Sequence, residues 1–401
     1  MTARRLAQVA EVALGRQRTP AHEHGENLVP YLRSANVRDG ELDLTDVKQM
    51  NFTPAEQVHF SLRRGDVLVT EGSGSRETVG ASAVWNEEIP GPVCFQNTLL
   101  RLRPRGDLSD GRFLYWWMRH AHAAGMVAAV TTGANIQHLG AESLRGMAID
   151  LPSLDDQRMI ARFLDCQIAR ADEIIRLREE QAAAVKLRLE ACIRDLVAGA
   201  GEGCRTPHLA PWVGNLHKRA ELRPLVRSLV LQRGVDLTAV QRVNGPFPVI
   251  TTAGVVGMHD QSIAEGPGIV IGRYGTVGNV HWVDSAFWPH NTTLYVKDFR
   301  ENEPRWLYWL LRAFPYEMQQ ARAAVPGVNR NEMHPVLMPW LPLDLQKKSA
   351  DLLDAQENST DALSAELNAE ICLVHEWKRS LITAAVTGGF DVTAASGRRV
   401  A

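Results

Sequence analysis

The residue types best suited to chemistry are concentrated in a few places. His22, Glu23, His24 and Glu26 are metal-ligating types crowded into one polar stretch. A zinc-like ion needs three or four ligands at a spacing the fold can close around it. No further ligand follows at such a spacing, so the stretch reads as a solvated loop and no metal site is expected. Asp155 and Asp156 suggest paired carboxylates for acid–base work. Neighbouring residues on a helix do not face one another, whereas acids at a helix start complement its dipole. The pair therefore reads as a helix N-terminus. Gly72-Ser73-Gly74 begins a dinucleotide-type glycine pattern, but Glu77 stands where its last glycine belongs, and a turn is the better account. The phosphate loop, the H-E-x-x-H zinc motif, the G-x-S-x-G elbow and the Asp/Asn-Pro-Pro-Tyr/Phe motif of amino-group DNA methyltransferases do not occur. No catalytic residue is nominated.

Four polar loops are better placed to contact a nucleic acid. They carry Ser73, Ser75 and Arg76; Thr131, Thr132, Asn135, Gln137 and His138; Arg273, Tyr274 and Thr276; and Asn329, Arg330 and Asn331. Arginine can read guanine bidentately, asparagine or glutamine can read adenine, and hydroxyls can position phosphates. Ordinary turn chemistry is the competing account of each residue. Tyr115, Trp116, Trp117, Trp306, Tyr308 and Trp309 are of types that stack on bases. They lie at helical spacing beside Leu114, Met118, Leu307 and Leu310, which predicts core packing instead.

What positions these loops is an internal repeat. FLYWWMR (113–119) matches WLYWLLR (306–312), QNTLL (96–100) matches HNTTL (290–294), and Val79-Gly80 matches Val277-Gly278. Gly133-Ala-Asn135 matches Gly327-Val-Asn329, and LPSLDDQRMIARFLD (151–165) matches LPLDLQKKSADLLD (341–354). Five matches in one order describe two copies of one unit, each a mixed domain followed by a long helical segment. Counting from Pro30 to Gln157 and from Pro248 to Gln346, the second copy is the shorter, so the first carries insertions. Loops tolerate such length cheaply, and loops that diverge on a shared scaffold usually hold specificity.

The first helical segment places Leu164, Ile168, Ala171, Ile175, Ala182, Val185, Leu189, Cys192 and Leu196 at alternating steps of four and three, with a break at Arg178. That spacing is a heptad seam. The second segment has a looser seam through Leu353, Leu363, Leu367, Ile371, Val374 and Leu381. A long helix with one apolar stripe must bury it, which predicts an antiparallel pair. The fold class expected is α+β: two repeated mixed α/β domains joined by two long helices in an antiparallel coiled coil. The expected boundaries are 1–154 and 201–343 for the domains, 155–200 and 344–391 for the helices, and 392–401 for a tail.

Composition narrows the classes further. Hydrophobic residues at 45% and charged residues at 22% are those of globular domains and exclude a disordered chain. No apolar run approaches a membrane span, and the opening MTARRLAQVAEVALGRQR lacks the continuous apolar core of a signal peptide. Lys and Arg number 44 against 46 Asp and Glu, so the net charge of −2 argues against a grip on nucleic acid by bulk positive charge. Cys94, Cys166, Cys192, Cys204 and Cys372 form no C-x-x-C pair and read as reduced thiols.

The chain resembles the DNA-specificity subunits of type I restriction–modification systems. The two segments at 151–165 and 341–354 are similar to that family's L-P-x-L-x-x-Q-x-x-I-x-x-x-L-D boundary motif. The second is one residue shorter and has Ser349 where the first has Ile160. WKRSLITAAVTGGFD (377–391) is similar to the family's closing helix, and LAQVAEVALGRQRTP followed by VPYLRSANVRDGELD to the start of a target recognition domain. The resemblance runs from about Leu6 to Asp391. It implies a non-catalytic reader of double-stranded DNA. Each domain would read half of a split site, and the helices would set the gap between halves. Methylation subunits and a restriction/translocation subunit would be its partners. It implies no cofactor on this chain, with S-adenosylmethionine, ATP and Mg on the partners, and a cytoplasmic location. Two other readings stand beside it: the specificity chain of another multisubunit restriction system, and a coiled-coil adaptor with no DNA role.

Overall fold

The computed structural model describes residues 2–38, 40–72, 78–133, 137–199, 211–213, 215–274, 277–316 and 327–392. The chain forms two compact units, Met1–Leu177 with Ala369–Ala401 and Arg178–Asn368.

The first unit begins with β1 (Thr2–Arg5), α1 (Leu6–Val9), β2 (Ala10–Leu14) and β3 (Leu28–Leu32). The short strands β4 (Val37–Arg38) and β5 (Glu41–Leu42) precede β6 (Lys48–Asn51) and α2 (Pro54–Phe60). Then come β7 (Val67–Thr70), β8 (Ser82–Val84), β9 (Cys94–Phe95) and β10 (Leu99–Pro104). Helices α3 (Gly111–Ala123) and α4 (Ala141–Gly146), strand β11 (Ala148–Leu151) and the start of α5 (Leu154–Val197) follow. The main sheets have the orders β2-β10-β7-β8 and β6-β3-β9, with β1 paired to β11. Strand β10 is buried on both faces, and its side chains alternate as a strand requires. Leu100 and Leu102 pack with Phe113, Leu114 and Trp117 of α3, while Leu99 packs with Leu32 and Phe95 of the second sheet.

The second unit repeats this plan. Its strands are β12 (Glu221–Pro224), β13 (Val230–Arg233), β14 (Phe247–Thr251), β15 (Gly254–His259), β16 (Gly268–Gly272), β17 (Val280–Val283), β18 (Trp288–Pro289) and β19 (Thr293–Asp298). Helix α6 (Pro304–Arg312), the single turn α7 (Arg330–Met333), β20 (Leu337–Trp340) and the start of α8 (Leu343–Val386) complete it. The sheet orders are β13-β19-β16-β17 and β15-β14-β18, with β12 paired to β20. Both three-stranded sheets contain one parallel pair, Tyr31 against Cys94 in the first unit and Val249 against Trp288 in the second. Leu294 and Val296 face Trp306 and Trp309, and Tyr295 faces Ile250 and Phe287. The aromatic segments are core helices, as their spacing predicts: Trp116, Trp117, Trp306 and Trp309 are all buried.

Each long helix is fixed to its unit by the same residues of the boundary motif. The side chain of Gln157, fully buried, accepts from Asp110 N at 2.9 Å and donates to the carbonyls of Leu108 and Pro152 at 3.0 Å. Gln346 accepts from Glu303 N at 2.8 Å and donates to Asn302 Oδ1 and the Leu341 carbonyl at 2.7 Å. Eight residues on, Asp165 accepts from Trp116 Nε1 and Asp354 from Trp309 Nε1, both at 2.8 Å. Arg112 and Arg305 pair with the same two carboxylates. Ser153 caps α5, accepting from Asp156 N at 3.2 Å, and the acids 155 and 156 sit in its first turn. Gly199 and Gly388, at φ +69° and +76°, follow the two helices with the left-handed turn that glycine adopts without strain.

In the first unit, Ile160, Leu164 and Ile168 of α5 share a core with Ile382, Ala385 and Val386 of α8. In the second unit, Leu189, Ile193 and Val197 of α5 share one with Ala350 and Leu353 of α8. The start of α5 thus meets the end of α8 and its end meets the start of α8, an antiparallel pair. Leu164, Ile168, Ala171, Ile175, Leu189 and Leu367 are buried, while Val185, Leu196, Leu363, Ile371, Val374 and Leu381 are half-buried. At the helix ends the most buried positions shift by one residue, to Ile193 and Val197 rather than Cys192 and Leu196, and to Ile382 rather than Leu381. There each helix also packs against its mixed domain, so the buried stripe is wider than a two-helix seam.

Candidate nucleic-acid interface

In both units the ends of several strands converge on one rim, and the nominated loops grow from it. Gly15 and Gly234 lie where the backbone crosses from one sheet to the other. A Cβ on either would stand 2.2 Å from a backbone oxygen, of Gln96 or of His290. Only glycine permits that approach. Arg16 bridges to Gln96 and Val235 to His290 at matched places.

In the first unit, β7 ends at Thr70, and the Glu71 carbonyl accepts from Leu139 N at 2.7 Å. Thr132 and His138 exchange backbone hydrogen bonds of 3.0 and 2.8 Å, and Gly72 bridges to His138. The His138 ring lies 3.3 Å from Glu71 Oε2. Thr131 Oγ1 donates to the Ala128 carbonyl at 2.9 Å and stands 3.4 Å from Gln137 Oε1. The described parts of these two loops, Gly72 and residues 131–133 and 137–138, are therefore side by side, with Thr132 and His138 exposed. Ser73, Ser75, Arg76 and Asn135 lie outside the described residues.

The second unit builds its rim with different residues. The Arg273 carbonyl accepts from Val328 N at 3.0 Å, which brings those two loops together as well. The Arg273 guanidinium lies 4.5 Å above the exposed Tyr274 ring. Asn329 Oδ1 accepts from Asn331 N at 3.0 Å and caps α7, so that oxygen has a local structural task. Arg330 and Asn331 are exposed. Thr276 lies outside the described residues.

Sequence reading missed two groups on these rims. A hollow of about 310 Å³ in the second unit is lined by Gln232, Arg233, Arg273, Leu294, Asn329 and Arg330. Gln232 and Arg233 belong to a strand whose register with β19 sets them beside the loops, and no local motif marks them. A hollow of about 420 Å³ in the first unit includes Arg18, Tyr31, Arg33 and Lys48. Its cations are paired at 2.6 Å, Arg18 with Glu23 and both Arg33 and Lys48 with Asp46. The HNT match hides a further constraint: His290 is pushed below its usual pKa by burial, and its Nδ1 lies 3.1 Å from Thr292 Oγ1. Among the described residues no group of His, Cys, Asp and Glu has the arrangement of a metal site, and no helix is long and apolar enough to cross a membrane.

Residues 1–183 match the family described as the type I restriction modification DNA specificity domain. The chain is similar to the StySPI type I restriction enzyme specificity subunit of Salmonella potsdam, with 26% identity over 43% of this chain. It is similar to the EcoKI specificity subunit of Escherichia coli K12, with 28% identity over 37% of this chain. These matches cover 37% and 31% of the two relatives, so the chain spans about a third of their length. Among solved structures, a chain from a study of complex assembly and conformational transition of the type I R-M system matches with a TM-score of 0.77 and 15% identity. That match covers 96% of this chain and 97% of the other. The HsdS subunit from Thermoanaerobacter tengcongensis matches with a TM-score of 0.57 and 16% identity, over 97% of each chain. At such identities the likeness is one of fold. The resemblance read from the boundary motifs is borne out by these matches, and so is the fold class.

Proposed function

We propose that this chain is the DNA-reading subunit of a type I restriction–modification complex and performs no bond chemistry itself. The observation that carries the proposal is the duplicated scaffold: the same sheets, helix anchors and rim occur twice, while the rim side chains differ between copies. Two equal readers of one contiguous sequence would not need different loops. Two readers of different half-sites would. Arginine, asparagine, glutamine and threonine on the rims are suited to base edges and phosphates, and the paired helices would fix the distance between half-sites. Methylation subunits would bring S-adenosylmethionine, and a restriction/translocation subunit would bring ATP and Mg. The complex would act on double-stranded DNA in the cytoplasm.

The test is to express the chain with its neighbouring methylation subunit in a methylation-free host and map modified adenines across the genome. The expected result is a single split sequence with a fixed gap. Modification at a contiguous site, or none that depends on this chain, would overturn the proposal. An adaptor without a DNA role would show no sequence-selective gel shift at any salt concentration even with the partner present.

A further inference from the structure

We propose that Arg233, Arg273 and Arg330 form a phosphate-binding hollow in the second unit, and that its ligand is the backbone of duplex DNA. The proposal rests on the DNA-reading function above and adds to it a place where the chain takes hold of the duplex.

Arg233, Arg273 and Arg330 line the hollow together with Gln232, Leu294 and Asn329, and no carboxylate is among the lining residues. Elsewhere in the same unit arginines have acids at hand: Arg219 with Asp344, Arg223 with Glu221, and Arg305 and Arg312 with Glu357. Among the described residues no such ion pair occurs for the three arginines of the hollow. In a chain with more acids than bases, a cluster of like charges without acids is what an anion would complete. Arg273 is already oriented. Its guanidinium carbon lies 4.5 Å over the Tyr274 ring, and a guanidinium stacked on an aromatic face keeps its N–H edge for phosphate oxygens.

The repeat itself supplies a control. Leu294 pairs with Arg233 across β19 and β13, as Leu100 pairs with Leu14 across β10 and β2. Arg273 follows the last residue of β16, whose partner is Thr293; Glu71 follows the last residue of β7, whose partner is Leu99. The first unit therefore has Leu14 and Glu71 where the second has Arg233 and Arg273. The same scaffold forms with an apolar residue and an acid at these places, so its folding does not require the arginines. Arg233 Nε donates to the Asn291 carbonyl at 3.4 Å, and the other guanidinium N–H groups of the three are left for a ligand outside the chain.

The hollow is also open to solvent. Arg233 and Arg330 are exposed and Arg273 is half-buried, so the hollow is an open saddle rather than an enclosure. An enclosed site would suit a free anion; an open one on a rim of loops suits a phosphate presented by a polymer.

The test uses the full chain assembled with its methylation subunits, on a sequence-random 40-base-pair duplex, because backbone contacts need no target site. Each phosphate contact contributes about 0.9 to the slope of log affinity against log salt. Arg233→Gln, Arg273→Gln and Arg330→Gln should each lower the slope by up to that amount. They should leave the mapped half-site sequences unchanged, because phosphate contacts weaken all sequences alike. The Arg273 side chain also packs over Tyr274, so Arg233→Gln, at an exposed strand end, is the variant least able to disturb folding. Unchanged slopes in variants that melt like the parent would overturn the proposal, and so would a relaxed base preference at one half-site position. Inorganic phosphate provides the second arm. If it raises the melting temperature of the isolated parent chain but not of R233Q, while DNA slopes stay unchanged, the hollow is a free-anion site and the assignment to DNA is wrong. If the parent complex selects no sequence, the DNA-reading function fails by itself, and the slopes on random duplex still decide the hollow.

Discussion

Gln157 and Gln346 carry much of the joint between long helix and mixed domain. Each amide satisfies three polar groups in a place water does not reach. Gln157→Leu keeps the bulk but leaves the Asp110 N–H and two carbonyls without that partner. Orphaning buried groups costs about 1–3 kcal/mol each where no water replaces the partner, so a total loss of roughly 2–4 kcal/mol is expected in urea unfolding. Gln346→Leu should cost the same. A loss below about 0.5 kcal/mol in both would place the joint elsewhere. Cys94 gives a second prediction at this scale. Burial pushes its thiol from 9.0 up to about 11. A raised folded pKa means a contribution to stability that is complete below the unfolded value and lost as pH climbs from about 9 through about 11. At pH 8 an aromatic disulfide reagent should modify the exposed Cys166 and Cys372 at once and Cys94 only upon unfolding. Prompt modification of Cys94 in a single-cysteine variant that remains folded would contradict this.

At the scale of elements, the long helices test whether burial or mere heptad position sets stability. Leu164 is fully buried and Leu187 is 64% exposed, though both are leucines on α5. Leu164→Ala should cost about 2–5 kcal/mol, and Leu187→Ala should stay within about 0.5 kcal/mol, both read by urea unfolding. Comparable losses would mean that Leu187 is covered in solution. These helices were legible in the sequence because their signals are local: the four-three spacing, the acids at 155 and 156, the glycines at 199 and 388. The aromatic helices were legible for the same reason. The sheets were not, since strand order depends on pairings between residues far apart, such as Leu100 with Leu14 and Val69. The rim was legible only in part. Thr131, Thr132, Gln137 and His138, and Arg273, stand in loops whose polarity marks them, and Arg330 opens the single turn α7. Arg233 stands in a strand, and only its register against β19 brings it to the loops. The boundary-motif glutamines were visible as a repeat, but most of their partners, Leu108, Asp110, Asn302 and Glu303, lie on the segments that precede α3 and α6, so their work could not be read from the motif.

For the whole molecule, the near balance of 44 basic and 46 acidic residues fixes how binding should depend on salt and partners. Long-range attraction of a chain at net −2 to a polyanion is weak, so the isolated chain should bind duplex DNA poorly and the assembled complex should bind far better with a steep salt slope. Tight, salt-sensitive binding by the isolated chain would refute this division of labour. The spacer role of the helices can be tested without knowing the sequence that is read. Inserting one heptad within 176–186 of α5 and a matching heptad within 363–373 of α8 preserves the seam on both helices. Seven residues at about 1.5 Å each add roughly 10 Å, about three base pairs of duplex at ~3.4 Å. Mapping of modified adenines should then return the same two half-sites with a gap about three base pairs longer. Changed half-sites would mean that the helices shape the readers themselves. An unchanged gap, in a variant that folds and still directs methylation, would remove the helices as the ruler and leave the distance to be set by the partner subunits.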